Sequence, residues 1–398
     1  MAAEVLVLGG GFAGLAAAGE LARRRPPNVS VRLVDRCAHS VFSPVLPDLI
    51  SNRIDAQSML YPIAPHCERL NIAFTQASVE RIHPEELRVE TDGGSFSADA
   101  MIICLGCKTN YFGDQAAESH AIGLKSTEEG IRIRSGVLER ANSVRPGGSR
   151  AAHVVVVGGG YTGFEVASHV AYLVHRSTGW PYAEVRSLLP IMILERGNQP
   201  LKGSSDQVRR WSLDMVNRFG IDVRTGCSAE SFGDGNVMLS DGSRLENALT
   251  VWAAGVTPAA ACASIDTPKT VGGRLVVDEF LRLPGRAGVF AAGDVAGPMP
   301  GGRAVPLRMA VQFSLSGGRR AARNALRALD GQPLRPFRAH DLGQVIPLAP
   351  GRGAGVILGR ELQGQLPSFL HYAMCIARSW SWHHKLAVLG DLLGGGRK

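Results

Sequence analysis

Two short glycine-rich turns carry the most legible chemistry in this chain. Val5-Leu-Val-Leu-Gly-Gly-Gly-Phe-Ala-Gly14 near the start and Val154-Val-Val-Val-Gly-Gly-Gly-Tyr-Thr-Gly163 further on each run a branched apolar strand into the spacing Gly-x-Gly-x-x-Gly. In such a turn the first glycine allows the tight bend, the second lets backbone approach a pyrophosphate, and the third lets helix and strand pack closely. The helix N-terminus then faces the phosphates. Gly9, Gly11 and Gly14 take these parts in the first copy, and Gly158, Gly160 and Gly163 in the second. An acid follows each: Asp35, 21 residues after Gly14, and Glu195. A carboxylate there accepts hydrogen bonds from ribose hydroxyls and repels a 2′-phosphate, so Glu195 favours NADH over NADPH. Arg196 beside it pulls the other way, because a guanidinium pairs with that phosphate. Two dinucleotide sites on one chain imply electron transfer between two bound cofactors, most simply a nicotinamide and a flavin.

Two further groups have alternative readings. Asp294, directly after Gly293, can accept from a flavin ribityl hydroxyl while the following helix aims its dipole at the pyrimidine edge; Gly-Asp-Val-Ala alone reads more readily as an Asx turn or cap. Cys104-Leu-Gly-Cys107 has the spacing of a redox or metal pair, but no second pair completes a zinc site, and Cys104 reads as a buried strand residue with Cys107 in a loop. No metal site is expected.

These residues need βαβ units to position them. Ala16 to Arg25 reads as a helix stopped by Pro26-Pro27, with Val29 to Val34 as the strand leading to Asp35. Glu165 to about Val174 reads as a helix, followed by a Gly-Trp-Pro insertion and the strand Ile191 to Leu194 that ends at Glu195. Thr250 to Ala254 and Gly288 to Ala292 read as buried strands ending at a glycine. Pro306 to Leu329 reads as a helical stretch interrupted at Gly317-Gly318, with Pro306 in its first turn. From about Pro336 a Gly-rich, strand-like region precedes an amphipathic segment, Phe369 to Leu393.

Composition narrows the function classes. With 398 residues, 45% of them hydrophobic, the chain is no disordered segment or small disulfide scaffold. Its net charge of +8 comes almost wholly from Arg, since only six residues are Lys. That favours anionic partners such as nucleotide phosphates or acidic lipid, while the lack of a long basic run argues against nucleic acid. Seven irregularly spaced Cys and no signal peptide point to a reduced, intracellular protein. No stretch reaches the roughly 18 apolar residues of a membrane span.

With these residues in hand, the chain resembles the two-dinucleotide-domain flavoproteins and, within them, the type II NADH:quinone oxidoreductases. The resemblance rests on Gly9 to Gly14, Phe42-Ser-Pro44, Leu105-Gly106 with Thr109-Asn110-Tyr111-Phe112-Gly113, Gly158 to Glu165, Val251-Trp252-Ala-Ala-Gly255 and Gly293-Asp294. It implies an α/β fold: two Rossmann-like dinucleotide-binding domains, for FAD (1–115 and 256–335) and NADH (116–255), plus a small C-terminal α+β domain with amphipathic helices (336–398). Non-covalent FAD is then held by the first turn with Phe12, Ala13, Asp35, Arg36, Gly106, Gly293, Asp294 and Gln312. NADH is held by the second turn with Tyr161, Thr162, Glu165, Glu195, Arg196, Ala254 and Gly255.

The resemblance makes Glu165 and Gln312 the catalytic residues and a quinone the acceptor, without proton pumping. Glu165 otherwise reads as a first-turn acid favoured by the helix dipole. The family's second Gln, four residues after the first, is Ser316 here. The C-terminal segment would hold the protein on an anionic cytoplasmic membrane face through Phe369, Leu370, Ala373, Met374, Ala377, Trp380, Trp382, Leu386, Leu389, Leu392 and Leu393, with Arg378, His383, His384 and Lys385 toward headgroups. The alternative is packing on the protein's own core or as a homodimer. Rival functions are a sulfide:quinone oxidoreductase using Cys104 and Cys107, or a nucleotide-responsive redox sensor.

Overall fold

The computed structural model describes residues 3–144, 152–349 and 351–394. The elements that matter for function are, in chain order, β1 (Ala3–Leu8), α1 (Phe12–Arg24), β2 (Val29–Asp35), α2 (Leu46–Ile50), β3 (Ala73–Gln76), β4 (Ala100–Ile103), β5 (Ala121–Ile122), β6 (His153–Val157), α3 (Tyr161–Thr178), β7 (Ile191–Glu195), β8 (Ile221–Thr225), β9 (Ala248–Trp252), β10 (Val289–Ala291), α4 (Val311–Leu329), β11 (Gly343–Leu348), β12 (Arg352–Ile357), β13 (Arg360–Gly364), α5 (Gln365–Ala377) and α6 (Trp382–Gly394). The chain divides into two compact units, Met1–Val41 with Leu60–Lys108 and Val256–Asp341, and Phe42–Met59 with Thr109–Gly255 and Leu342–Lys398.

The first unit is built on a five-stranded parallel sheet in the order β10-β4-β1-β2-β3. Its central strand is apolar on both faces, with Val5, Leu6, Val7 and Leu8 all 0% exposed, as a strand covered on both sides requires. The second unit repeats the plan with β5-β9-β6-β7-β8, again wholly parallel. In both, the strand that leads into the glycine turn lies at the centre of the sheet. The mixed α/β architecture with two Rossmann-like sheets is therefore the one expected. The antiparallel sheet β11-β12-β13 and helices α5 and α6 belong to the second unit, where α5 packs on β12 and α3 on β11.

Helix boundaries differ from the expected ones in an instructive way. Helices α1 and α3 begin at Phe12 and Tyr161, four residues before the Ala16 and Glu165 expected from periodicity, because Gly11 and Gly160 are the N-caps. Helix α4 begins at Val311 and not at Pro306. Buried Arg274 donates to the Leu307 carbonyl at 2.7 Å, the Leu307 N–H donates to Pro298, and Ala310 is extended, so this stretch is tied down before it can wind.

Gly317-Gly318 does not interrupt α4. Both glycines are helical and buried, and a Cβ on Gly318 would collide with the Ala13 carbonyl of α1. Gly318 lets the two helices touch backbone to backbone, which outweighs the poor intrinsic helix propensity of glycine. Gly318→Ala is therefore expected to lower stability by about 3 kcal/mol, at the upper end of overpacking costs, read as a lower urea midpoint with unchanged slope. No loss would mean that the helix contact is loose.

Candidate functional site

The two glycine turns are built alike, atom for atom. Gly9 has φ +103° and Gly158 φ +118°, backbone that side chains rarely adopt. Each also lies on the strand end beside it: a Cβ on Gly9 would collide with the Cys104 carbonyl oxygen, and one on Gly158 would come within 2.5 Å of the Ala253 carbonyl oxygen. Gly14 and Gly163 lie against the carbonyls of Gly9 and Gly158, where no Cβ fits. The middle glycines behave differently. Gly11 (φ −79°) and Gly160 (φ −85°) have ordinary extended backbone, and a Cβ on either would meet no protein atom within 4 Å. Neither the backbone nor a neighbouring atom demands glycine there, and the space beside each Cα is open.

The acids are held in parallel fashion. Asp35 at the end of β2 accepts from the Gly10 N–H at 2.6 Å and the Cys37 N–H at 2.7 Å. Glu195 at the end of β7 accepts from Gly159 at 3.2 Å and Gly197 at 2.7 Å. Backbone donors fix each carboxylate beside its turn and leave lone pairs for ribose hydroxyls. Helices α1, α3 and α4 begin without a side-chain cap, as do those starting at Leu46, Ile63, Tyr182 and Gln365, whereas the helices starting at Gln115, Thr127 and Asp206 are capped by Asp114, Ser126 and Ser205. Uncapped first-turn amides suit an anionic ligand.

The remaining predicted residues fall on both sides of the unit division. In the first unit Phe12 and Ala13 are buried in the first turn of α1, and Arg36 is exposed beyond Asp35. Gly106 (φ +67°) follows the Cys104 carbonyl that supports Gly9. A small pocket is lined by Gly293, Asp294, Arg274, Arg308, Phe313 and Ser314, among others. The Asp294 carbonyl accepts from Arg274 at 3.1 Å and from the Cys107 thiol at 3.3 Å. Gln312 donates to Asp341 at 3.1 Å, and Asp341 is gripped by both Nη atoms of Arg308 at 2.5 and 2.6 Å. Ser316 turns back onto its own helix, donating to the Gln312 carbonyl at 2.7 Å.

In the second unit Tyr161 Oη pairs with Ser204 Oγ at 3.0 Å, Thr162 and Arg196 are exposed, and Ala254-Gly255 follows β9 beneath Gly158. Burial, with the charge of Asp48 adding to it, holds the Glu165 carboxyl well above the usual carboxylate range. Sequence reasoning did not find Arg274, the Arg308–Asp341 clamp, or the polar cluster of Asp48, Arg53, His169 and Tyr372. Only His169, one turn after Glu165 on α3, gave any local signal.

Cys104 and Cys107 are both free of disulfides. Burial pushes Cys104 up to about 12, and Cys262 likewise up to about 12. Cys107 lies in the short strand Cys107–Thr109 and not in a loop. Among the described residues no group of three or more His, Cys, Asp or Glu could hold a metal ion, and no helix is long and apolar enough to cross a membrane.

Helices α5 and α6 are amphipathic, but they are mounted with their apolar stripes outward. Leu366, Phe369, Ala373 and Ala377 are exposed along α5, and Trp382, Leu386, Leu389 and Leu393 along α6. Polar Ser368 and Tyr372 face inward, Tyr372 donating to Asp48 at 2.8 Å. His384, expected to face headgroups, is instead 7% exposed, bonded to Ser379 and set edge-on against Phe42. His383 is exposed, and Lys385 lies over the Trp382 ring at 5.0 Å.

Glu195 supplies a direct test of nucleotide choice. Glu195→Ser removes the fixed negative charge while Arg196 remains, so the ratio of kcat/KM for NADH over NADPH is expected to fall about tenfold, or about 1.4 kcal/mol. An unchanged ratio would place the ribose elsewhere.

Comparison with known proteins agrees with this geometry. A model of the pyridine nucleotide-disulphide oxidoreductase family matches residues 3–326. A type II NADH:quinone oxidoreductase of Staphylococcus saprophyticus is 25% identical over 92% of each chain, and that of Staphylococcus aureus 23% identical, also over 92% of each. Among solved structures, NDH2 of Plasmodium falciparum in complex with NADH superposes with a TM-score of 0.83 at 17% identity, covering 100% of this chain and 99% of that one. The sulfide:quinone oxidoreductase of Aquifex aeolicus gives 0.78 at 16% identity, covering 97% and 92%. These structural likenesses concern the fold.

Proposed function

The chain belongs to the pyridine nucleotide-disulphide oxidoreductase family, and on that premise we propose that it is an FAD-dependent NADH:quinone oxidoreductase of the type II class, which does not pump protons. The observation that carries the reading is the duplicated turn. Each copy has one glycine that the fold does not require and one carboxylate pinned beside it by two backbone N–H groups. Two such cradles suit two dinucleotides. FAD, when bound, takes hydride from NADH and passes two electrons to the quinone.

The chain's own residues supply binding, orientation and proton control. The first turn, with Phe12, Ala13 and the N-terminus of α1, receives the FAD pyrophosphate, while Asp35 receives the ribose and Asp294 the ribityl chain. The uncapped N-terminus of α4 and Gln312, steadied by Asp341, favour negative charge at the reduced flavin's pyrimidine edge. The second turn with Glu195 receives NADH. Glu165, whose carboxyl burial holds well above the usual carboxylate range, is the residue placed to exchange a proton in the acceptor chemistry. The sulfide-oxidising alternative is less well supported, because burial pushes Cys104, one of its two thiols, up to about 12.

The outward apolar stripes of α5 and α6 support peripheral association with an anionic membrane, on the cytoplasmic side where NADH is found. The test has two readouts: NADH oxidation that requires both FAD and an added quinone, and flotation with phosphatidylglycerol-containing vesicles that is lost in the Trp382→Ser, Leu386→Ser double variant. Turnover without added quinone would turn the assignment toward an oxidase. Unaltered flotation of the variant would remove α6 from the membrane contact.

A further inference from the structure

The turn at residues 110–114 is fastened to the end of β9. The Asn110 N–H donates to the Gly255 carbonyl at 3.1 Å, and Trp252 Nε1 donates to the Asn110 carbonyl at 2.7 Å. Tyr111 packs on Trp252 with ring centroids 5.3 Å apart, and the Asp114 N–H closes the turn on the Tyr111 carbonyl at 3.0 Å. The two central residues, Phe112 (φ +56°) and Gly113 (φ +83°), are both left-handed, and the Phe112 N–H donates to Asn110 Oδ1 at 2.9 Å. Asparagine or glycine suits the first of these positions, whereas a phenylalanine is strained there. Burial does not offset the strain, because Phe112 is 66% exposed while Trp252 beside it is 8% exposed. The ring nevertheless has a fixed neighbour. A Cβ on Gly255 (φ +152°) would come within 3.3 Å of Phe112 Cζ, so the glycine that follows β9 leaves room for the phenyl group.

The order of the strands says which part of a dinucleotide reaches that place. Strand β6, which feeds the second glycine turn, lies between β7 and β9. The pyrophosphate belongs at the turn and the adenosine ribose at the acid that ends β7, so the adenosine half runs toward Glu195. The other half then runs over the carboxyl end of β9, where Ala253 lies against Gly158 and Gly255 against Phe112. On the proposed function, in which the second turn receives NADH, we propose that Phe112 is the platform on which the nicotinamide ring stacks.

A phenyl face suits the task in both states of the nucleotide. The nicotinamide ring stacks on it, and the cationic ring of NAD⁺ is also attracted by its quadrupole. The turn is anchored at Asn110, Tyr111 and Asp114 before any ligand arrives, so little freedom is lost when the ring is covered. Phe112 exchanges no electron or proton; it positions the ring that does. The strain at residue 112 is thereby balanced by binding and not by folding.

Isothermal titration calorimetry of the FAD-loaded protein tests this with two ligands: NAD⁺, which carries the nicotinamide but cannot reduce the flavin, and ADP-ribose, which lacks it. Phe112→Asn keeps a residue that tolerates the left-handed backbone. It is expected to weaken NAD⁺ about tenfold and to leave ADP-ribose within about twofold of the parent, with a urea midpoint no lower than the parent's. Phe112→Trp restores a ring and should bring NAD⁺ affinity back to within about twofold. Equal weakening of both ligands, no weakening of either, a lowered urea midpoint in Phe112→Asn, or a Trp variant as weak as the Asn variant would overturn the platform. A parent protein that bound neither ligand would instead overturn the reading of the second turn, and the role of Phe112 with it.

Discussion

Replacing Gly160 with Val leaves a folded, yellow protein that NADH no longer bleaches. The backbone at Gly160 is extended, which any residue adopts, and a Cβ there meets no protein atom within 4 Å. The fold loses only a favourable N-cap residue, so the variant should remain folded with stability lower by about 1 kcal/mol. FAD binding lies in the other turn and should be untouched. The branched side chain instead occupies the space through which the NADH pyrophosphate must approach the α3 amides, so affinity for NADH is expected to fall at least about a hundredfold, close to 3 kcal/mol. A stopped-flow titration of flavin bleaching measures it. Normal bleaching at ordinary NADH concentrations would show that the second turn is structural.

Gly11→Val gives the complementary result: a folded but colourless protein. Its geometry matches that of Gly160, with open space at Cβ and ordinary φ. Loss of FAD removes the stabilisation that a saturating ligand confers, about 4 kcal/mol at a thousandfold excess over Kd, so the variant should melt like parent protein stripped of FAD and gain nothing from added FAD. Gly14→Ala is the contrast, because there the Cβ would collide with the Gly9 carbonyl oxygen and the fold itself suffers. Absorbance at the flavin band, read beside far-ultraviolet circular dichroism, separates the two cases. If Gly11→Val retained stoichiometric FAD, the first turn would not be its cradle.

What could be read in the sequence was what is local in the chain. Each glycine turn, its strand and its acid lie within about forty residues, and spacing alone identified Gly9 to Asp35 and Gly158 to Glu195. Spacing could not separate the glycines that the fold needs from those that face a ligand, since that depends on Cys104 and Ala253 arriving from distant strands. The start of α4 was misplaced for a related reason: the bond from Arg274 to Leu307 joins positions 33 residues apart and holds Pro306 to Ala310 extended. Likewise, the glycine pair in α4 looked like a break until Ala13 supplied the contact that makes it a close helix crossing.

The C-terminal helices show another limit. Periodicity found their apolar stripes but gave no means of telling inside from outside. Tyr372 faces inward because Asp48 and Arg53 await it there, and His384 is buried while adjacent His383 is exposed. The buried polar cluster of Asp48, Arg53, His169 and Tyr372 draws on three segments, around residues 50, 170 and 372, and has no signature in any one of them.

The most direct test of the central claim is an anaerobic titration of the FAD-loaded protein with NADH, followed at the flavin absorbance band and ended by adding a soluble quinone. The account predicts bleaching complete at about one equivalent of NADH, full return of colour on adding quinone, and quinol as the product. A flavin that NADH leaves oxidised would contradict it at the second nucleotide site. A flavin that bleaches but stays reduced in the presence of quinone would contradict it at the acceptor.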